Sequence, residues 1–232
     1  MGSNSFDFPV LSAEQTAFLR GVDSPTISNA IEPFQVRDRC DGFIGGNVHS
    51  LFPDLPPMVG HALTITVTNR PGPTLGRDAW WRMWEALDAM PSPTVLVMQD
   101  ISGAPERVAY CGEVMATYAT RLGAVGLVTD GGVRDLHEVK ALGFSYFAPY
   151  PVVSHANFGI VDVGVPVTID GQPLTTGEIL HGDANGVVVI PAEVIDRLPE
   201  EVGKIRDRER ETMEFVRGES FSFAELKRRS GY

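Results

Sequence analysis

The sequence predicts an α/β fold built around a β-α-β core, and three observations carry that prediction. Between Ala62 and Phe147, short β-branched runs alternate with segments of helical period, as strands joined by crossover helices do. Beyond Pro149 the texture changes to short strand-like runs punctuated by Asp170-Gly171 and Asn185-Gly186, which are hairpin and turn signals. From Pro191 a charged segment of helical period forms a tail.

Ser12 to Arg20 reads as a helix, with Ser12 capping, Gln15 reaching back and Gly21 ending it. Ser24-Pro25 opens a second helix, Thr26 to Glu32, with proline in the first turn, where its missing N–H costs nothing. Pro33 to Pro57 is irregular and rich in Gly, Pro and Asp. Ala62 to Thr68 alternates Leu63, Ile65 and Val67 with small or hydroxyl residues and is a strand. Asp78 to Met90 places Trp80, Trp84 and Leu87 at helical spacing, with its three tryptophans (Trp81 included) assigned to the core.

Strand Thr94 to Met98, a loop of 13 residues, helix Gly112 to Leu122 and strand Val125 to Thr129 follow. A short helix, Asp135 to Leu142, is closed by Gly143, and Ser145 to Phe147 is a strand. Such a succession requires a parallel or mixed sheet. Val152, Ile160 to Val163, Val165 to Ile169 and Val187 to Ile190 are further strands, Ala192 to Arg217 is the helical tail, and Phe223 to Arg229 is a basic terminal helix.

The composition excludes several functions. The chain has 232 residues, 43% of them hydrophobic, enough for a sizeable core. A formal charge of −11 argues against nucleic acid, which needs clustered Lys and Arg. No apolar run approaches the roughly 18 residues of a membrane span, and Met1 to Ser5 lacks the basic and apolar regions of a signal peptide. Cys40 and Cys111 form neither a zinc cage nor a disulfide framework, so a reducing cytoplasm is expected. The five histidines show no zinc spacing; His155, in a loop, is a candidate for touching a substrate. Cys111 is a candidate nucleophile with no base specified for it.

The most telling stretch is Gly126-Leu-Val-Thr-Asp-Gly-Gly-Val-Arg134-Asp135. A β-branched run stops at Asp-Gly-Gly, where glycine allows a tight turn and close approach to a ligand, and an adjacent Arg and Asp follow. Such a pair can hold an anion and a divalent cation together. The helix 112–122 spans about 15 Å at its known rise per residue, and the strand 125–129 returns about 16 Å. Glu113 and Asp135 are therefore expected at one carboxyl edge, where open α/β sheets bind ligands. The first turn, Gly112-Glu113-Val114-Met115, offers free N–H groups for a carboxylate. Each residue alone has a plainer reading: Asp135 as a cap of its own helix, Arg134 as a partner of Glu138, Glu113 as an acidic first-turn residue.

Cys111-Gly-Glu-Val-Met-Ala116, Gly123 to Asp135 and Gly182-Asp-Ala-Asn-Gly-Val-Val-Val-Ile-Pro191 together resemble the RraA-like family, which includes 4-hydroxy-4-methyl-2-oxoglutarate / 4-carboxy-4-hydroxy-2-oxoadipate aldolases. Ser24 to Ile31 is similar to its opening helix, so the resemblance covers about residues 24–198. It implies a single-domain, three-layer β/β/α swivelling-type fold over residues 1–232, with 1–23 an N-terminal arm and helix and 192–232 a helical tail. It also implies a class II, metal-dependent, pyruvate-forming aldolase acting on a 4-hydroxy-2-oxo (di)acid, able to decarboxylate oxaloacetate. Asp135 would then bind Mg²⁺ or Mn²⁺, Arg134 the oxo-acid end, and Glu113, where many relatives have Asp, a metal-bound water. The N–H groups of Val114, Met115 and Ala116, beside Gly112, would hold the carboxylate. A homotrimer or homohexamer is implied, with sites at subunit boundaries; Glu209, Glu211 and Glu214 are candidates for completing a neighbour's site. The alternative the family offers is a non-catalytic regulator that binds a protein partner. The segment Thr175-Thr-Gly-Glu178 departs from the Pro-Gly-Asp of many relatives.

Overall fold

The computed structural model describes residues 8–70 and 76–230; the chain's opening segment, Met1 to Ser5, lies outside them. In chain order the elements are α1 (Ala13–Arg20), α2 (Ser24–Ile31), β1 (His49–Ser50), β2 (Met58–Thr68), α3 (Gly76–Ala89), β3 (Thr94–Asp100), α4 (Glu113–Arg121), β4 (Ala124–Thr129), α5 (Leu136–Ala141) and β5 (Ser145–Ala148). Then follow β6 (Gly159–Val163), β7 (Val167–Ile169), β8 (Gln172–Leu174), β9 (Ile179–Asp183), β10 (Gly186–Ile190), α6 (Leu198–Arg217) and α7 (Phe223–Ser230).

The βαβ core forms as predicted. β2, β3, β4 and β5 pair in parallel through α3, α4 and α5. Antiparallel β9 and β10 extend this sheet past β2, and β6 pairs with the far end of β2. β1 lies against β5, while Ile44 N–H and Val189 N–H bond across to Val187 O and Gly42 O at 2.9 Å each. The segment 42–50 thus spans the gap between the two sheet edges, and the sheet nearly closes into a barrel.

Each parallel strand is buried on both faces, which is why it reads as an unbroken apolar run. In β3, Leu96 and Met98 face the helices, while Val95 and Val97 face the β7–β8 hairpin, with Val167, Ile169 and Leu174. The layers are therefore helices, parallel strands and hairpin. Asp170 and Gly171, both with positive φ (43° and 86°), make the two-residue turn that Asp-Gly predicts. A second cluster packs α1, α2 and α6 against β9 and β10 through Leu19, Ile27, Val188 and Val202.

Several boundaries and two assignments differ from the sequence reading. The Ser12–Gln15 capping box forms, but α2 starts at Ser24, capped by Asp23. β2 begins four residues earlier than predicted, because Met58 to His61 pair with β9. β9 itself is not apparent in the sequence, since His181 and Gly182 interrupt its apolar pattern. Val152 belongs to no strand; its N–H bonds Val133 O in a loop. The tail opens as a 3₁₀ turn, Ala192–Arg197, before α6. Trp81 leaves the core and is 59% exposed, whereas Trp84 is buried and stacks edge-on with Trp80 at 5.3 Å; successive tryptophans cannot share one helix face.

Two wholly buried histidines fasten the N-terminal elements to the sheet. His61 Nε2 accepts from Leu11 N–H (3.2 Å) while Nδ1 reaches Gly177 O (3.0 Å). His181 Nε2 lies 3.0 Å from both Leu19 O and Val22 O, and its Nδ1 2.9 Å from Ser24 Oγ. At His61 the pattern requires one protonated and one bare nitrogen, and at both histidines burial favours the neutral imidazole.

Candidate functional site

The loops that leave β3, β4 and β5 are zipped together at the carboxyl edge of the sheet. Tyr110 N–H bonds Gly132 O (2.8 Å), Gly132 N–H bonds Val108 O (3.2 Å), Val133 N–H bonds Tyr150 O (3.2 Å), and Val152 N–H bonds Val133 O (2.8 Å). Gly131 and Gly132 serve this ladder by their size. A Cβ at 132 would meet Val152 Cγ2 at 2.5 Å and Val108 O at 2.6 Å, and one at 131 would meet the Tyr110 ring at 2.5 Å. Neither has a positive φ, so the tight-turn reading of this pair is corrected: they are glycine because Tyr110, Val108 and Val152 of the adjoining loops press on them.

The residue that does adopt a left-handed backbone is Asp135, at φ 58° and ψ 46°. A side chain in that region costs about 1–2 kcal/mol, and such strain gathers at functional sites. The turn aims the carboxylate away from its own helix, which it does not cap, toward α4: Oδ2 accepts from Glu113 N–H at 2.9 Å. Arg134 Nε lies 3.5 Å from the same oxygen, while Arg134 N–H bonds Cys111 O at 2.9 Å. Arg134 thus pairs with Asp135 in place of the Glu138 alternative. Oδ1 of Asp135 makes no hydrogen bond among the described residues.

Gly112 makes this meeting sterically feasible. Its backbone is extended (φ −145°, ψ −171°), a conformation any residue adopts, yet a Cβ there would stand 2.4 Å from Asp135 Oδ2 and 2.9 Å from Arg134 Nε. The cradle is open because position 112 carries no side chain.

Of the residues singled out by sequence, Gly112, Glu113, Arg134 and Asp135 meet at one rim. Glu113 is the exposed first residue of α4; Val114 is 67% exposed and Met115 is buried. The N–H groups of Val114 and Met115 fall where a helix has no internal acceptor. The assignment of Ala116 needs correction: its N–H bonds Gly112 O at 2.9 Å and so continues the helix ladder instead of facing a ligand. His155 is exposed, with Nδ1 2.9 Å from Ala156 O. Cys111 is buried, and burial pushes its thiol up to about 12, so a thiolate nucleophile is ruled against. Glu209, Glu211 and Glu214 are all exposed on α6.

The sequence reading passed over a second set of carboxylates behind the rim. Asp100, at the carboxyl end of β3, accepts from Ser102 N–H (2.7 Å), Ser102 Oγ, Gly103 N–H and the Tyr110 hydroxyl. Its own N–H donates to Asp130 Oδ1 at 2.7 Å. An acidic residue ending a parallel strand was the available signal. Asp130 lines a cavity of about 690 Å³ with His49, Tyr150 and Asp170. Burial first, and then the Asp100 charge, raise its carboxyl to about 6.

Stability should respond to these groups in opposite senses. Burial holds His61 and His181 below the ordinary 6.5, so below that pH the unfolded chain binds more protons and stability is lost as pH falls. Asp130 has the reverse sign, since its raised carboxyl takes up a proton first in the folded state. In an Asp130→Asn background, the urea midpoint should therefore decline from pH 7.5 to 5.5. A flat profile there would show that the buried imidazoles do not govern acid stability.

As for a cation, among the described residues no three His, Cys, Asp or Glu side chains converge into a cage. Asp135 could supply one carboxylate oxygen, in a cradle kept open by Gly112. A single carboxylate oxygen fits a hard, largely hydrated cation such as Mg²⁺ and does not fit zinc, which takes three or four protein ligands. The free N–H groups of the first turn of α4 suit an anion beside it. No helix is long and apolar enough to cross a membrane among the described residues.

Comparison with known proteins converges on one family. The model of the RraA-like family, described as Aldolase/RraA, matches residues 24–189. A Halalkalibacterium halodurans protein named "Putative 4-hydroxy-4-methyl-2-oxoglutarate aldolase" is 36% identical over 135 residues, which is 58% of this chain and 60% of that protein. The chain thus spans about three fifths of the length of that relative. The crystal structure of an uncharacterised Pseudomonas syringae protein matches with TM-score 0.73 at 22% identity, covering 99% of this chain and 100% of that one. A Streptomyces coelicolor protein described as an unusual member of the RNase ES inhibitor RraA protein family matches with TM-score 0.66 at 24% identity, covering 89% and 97%. At those identities the two structures establish likeness of fold.

Proposed function

This chain belongs to the RraA-like family, and on that premise we propose that it is a lyase that releases pyruvate from a 4-hydroxy-2-oxo (di)acid with the help of a divalent cation. Decarboxylation of oxaloacetate is its second activity. The observation that supports this reading is the rim itself: a strained Asp135 and the Arg134 guanidinium meet the first turn of α4 in a space that only glycine at 112 leaves open.

Bound at Asp135, Mg²⁺ or Mn²⁺ supplies Lewis-acid stabilisation for the charge that gathers on the carbonyl oxygen of a 2-oxo acid. The N–H groups of Val114 and Met115 hold the carboxylate beside that carbonyl, at the positive end of α4. The Glu113 carboxylate accepts, through a water, the proton of the C4 hydroxyl. The C3–C4 bond breaks, C4 becomes a carbonyl carbon, and the electron pair left on C3 spreads onto the C2 oxygen. Arg134 neutralises that oxygen. The proton held at Glu113 then passes to C3 and completes pyruvate. With oxaloacetate the same bond breaks to release carbon dioxide, and the same electron pair is received. The rim is exposed on one chain, so we place the working site at the boundary of a homotrimer or homohexamer, with Glu209, Glu211 or Glu214 of a neighbour as the completing carboxylate.

Arg134→Ala should lower kcat for pyruvate release by about 10²-fold or more, the usual cost of one charge-stabilising donor. A coupled lactate dehydrogenase assay with 4-hydroxy-4-methyl-2-oxoglutarate and oxaloacetate reads it directly. Turnover within threefold of wild type (roughly the noise of one hydrogen bond) would remove Arg134 from the chemistry.

A further inference from the structure

Arg37, in the segment that joins α2 to β1, is a half-buried guanidinium held in one place. It lies against the backbone of Gly42, where a Cβ would meet its central carbon at 1.9 Å, and Gly42 itself has a φ of 80°. Nη1 donates to Val189 O at 2.7 Å. Gly42 is pinned in turn, its N–H donating to Gln172 Oε1 and its carbonyl accepting from Val189 N–H, both at 2.9 Å. Yet Nε and Nη2 donate to nothing among the described residues, and the guanidinium forms no ion pair there. Fastening the loop to β10 explains one of the five N–H groups of an arginine and leaves the others unexplained.

Arg37 lines a cavity of about 850 Å³, a size typical of small-molecule sites. Ile179, on the wall of this cavity, pairs with His61, which stands opposite Thr94 at the start of β3. The cavity therefore sits toward the amino end of the parallel strands, away from the rim. Phe43, Ile179, Ile190 and Pro191 give it an apolar wall. Four carboxylates also line it. Those of Asp170 are taken by Asn47, at 2.9 Å to its N–H and 2.7 Å to its Nδ2. Glu178 Oε2 accepts from Thr175 N–H at 2.6 Å, while Oε1 makes no hydrogen bond among the described residues. Asp41 and Glu193 are exposed.

This charge pattern is selective. A plain anion would meet one guanidinium ringed by carboxylates, and a plain cation would meet the guanidinium itself. A ligand that carries both charges on adjoining atoms satisfies both. We propose that the cavity binds a free α-amino acid with an apolar side chain. Its carboxylate takes the Nε and Nη2 edge of Arg37 in the two-bond geometry that guanidinium favours, its ammonium turns to Glu178 Oε1 and Asp41, and its side chain lies on the apolar wall. Burial lowers the pKa of the guanidinium while the Asp41 and Glu178 charges raise it, as a desolvated cation beside acids it does not pair with requires. This binding is independent of the oxo-acid reading of the rim.

The test is calorimetric titration of the full chain with L-leucine, L-methionine and L-phenylalanine, each to about 10 mM, past the range of a weak millimolar site. At least one should saturate. Its analogues lacking the ammonium or the carboxylate (for leucine, 4-methylpentanoate and 3-methylbutylamine) should bind about tenfold more weakly or worse, the usual worth of hydrogen bonds to a charged group. Arg37→Gln should weaken the amino acid by a similar factor. Thr175→Trp, which fills the cavity from an exposed position and leaves the Arg37 anchorage alone, should do the same with an unchanged melting temperature. It decides the matter if the Arg37 variant fails to fold. Absence of saturable heat from all three amino acids would overturn the proposal. So would an analogue that binds as tightly as its amino acid, or binding that survives Thr175→Trp.

Discussion

Asp135→Asn is expected to reduce magnesium-dependent pyruvate release by about 10³-fold or more, the rate equivalent of several kcal/mol of Lewis-acid stabilisation. Asparagine suits the purpose because it isolates charge from shape. Its side-chain oxygen can still accept the Glu113 N–H that Asp135 Oδ2 holds at 2.9 Å, and asparagine tolerates the left-handed backbone at φ 58°. The melting temperature should therefore stay within about 3 °C of wild type. Asp135→Ala is the less informative variant, since it also leaves the first N–H of α4 unpaired. Steady-state assays at saturating magnesium, alongside thermal melts, check both halves; a folded Asp135→Asn protein with near-normal turnover would remove the cation from this position.

Gly112→Ala should cost about 10²-fold in kcat/KM while leaving the protein folded. The backbone there is extended and imposes no strain on alanine. The added Cβ would instead stand 2.4 Å from Asp135 Oδ2, so the carboxylate and the neighbouring guanidinium must retreat by on the order of 1 Å, a displacement that commonly costs 10²-fold in positioning. Both groups end flexible side chains, so the shift is accommodated without unfolding. Far-ultraviolet circular dichroism and kinetics on the same preparation test this; full activity would mean that the meeting of these groups is irrelevant to turnover.

Much of this architecture could be read in the chain because its cause is local. The capping box at Ser12 and Gln15, the Asp170-Gly171 hairpin and the doubly buried strands all follow from residues within a few positions of one another. The rim was legible for a related reason: one helix and one strand of known rise return Glu113 and Asp135 to the same edge. What stayed hidden depends on contacts distant in sequence. β9 is masked by His181, whose burial makes sense only once the carbonyls of Leu19 and Val22 are seen against it. The two glycines after Asp130 owe their identity to Val152 and Tyr110. Ala116 sits one position too deep in α4 to offer a free N–H, a distinction set by where Gly112 ends the extended backbone. The Asp100–Asp130 contact shows in sequence only as an acid at the carboxyl end of each of two parallel strands, with nothing there to pair them.

The most direct test is to follow pyruvate appearing from oxaloacetate and from 4-hydroxy-4-methyl-2-oxoglutarate as MgCl₂ is titrated into metal-stripped wild-type protein. Turnover that rises with magnesium, saturates, and disappears on adding EDTA is the predicted result. Metal-stripped protein that works as fast without magnesium, or that yields no pyruvate at any magnesium concentration, would contradict a cation-assisted cleavage site at Arg134 and Asp135.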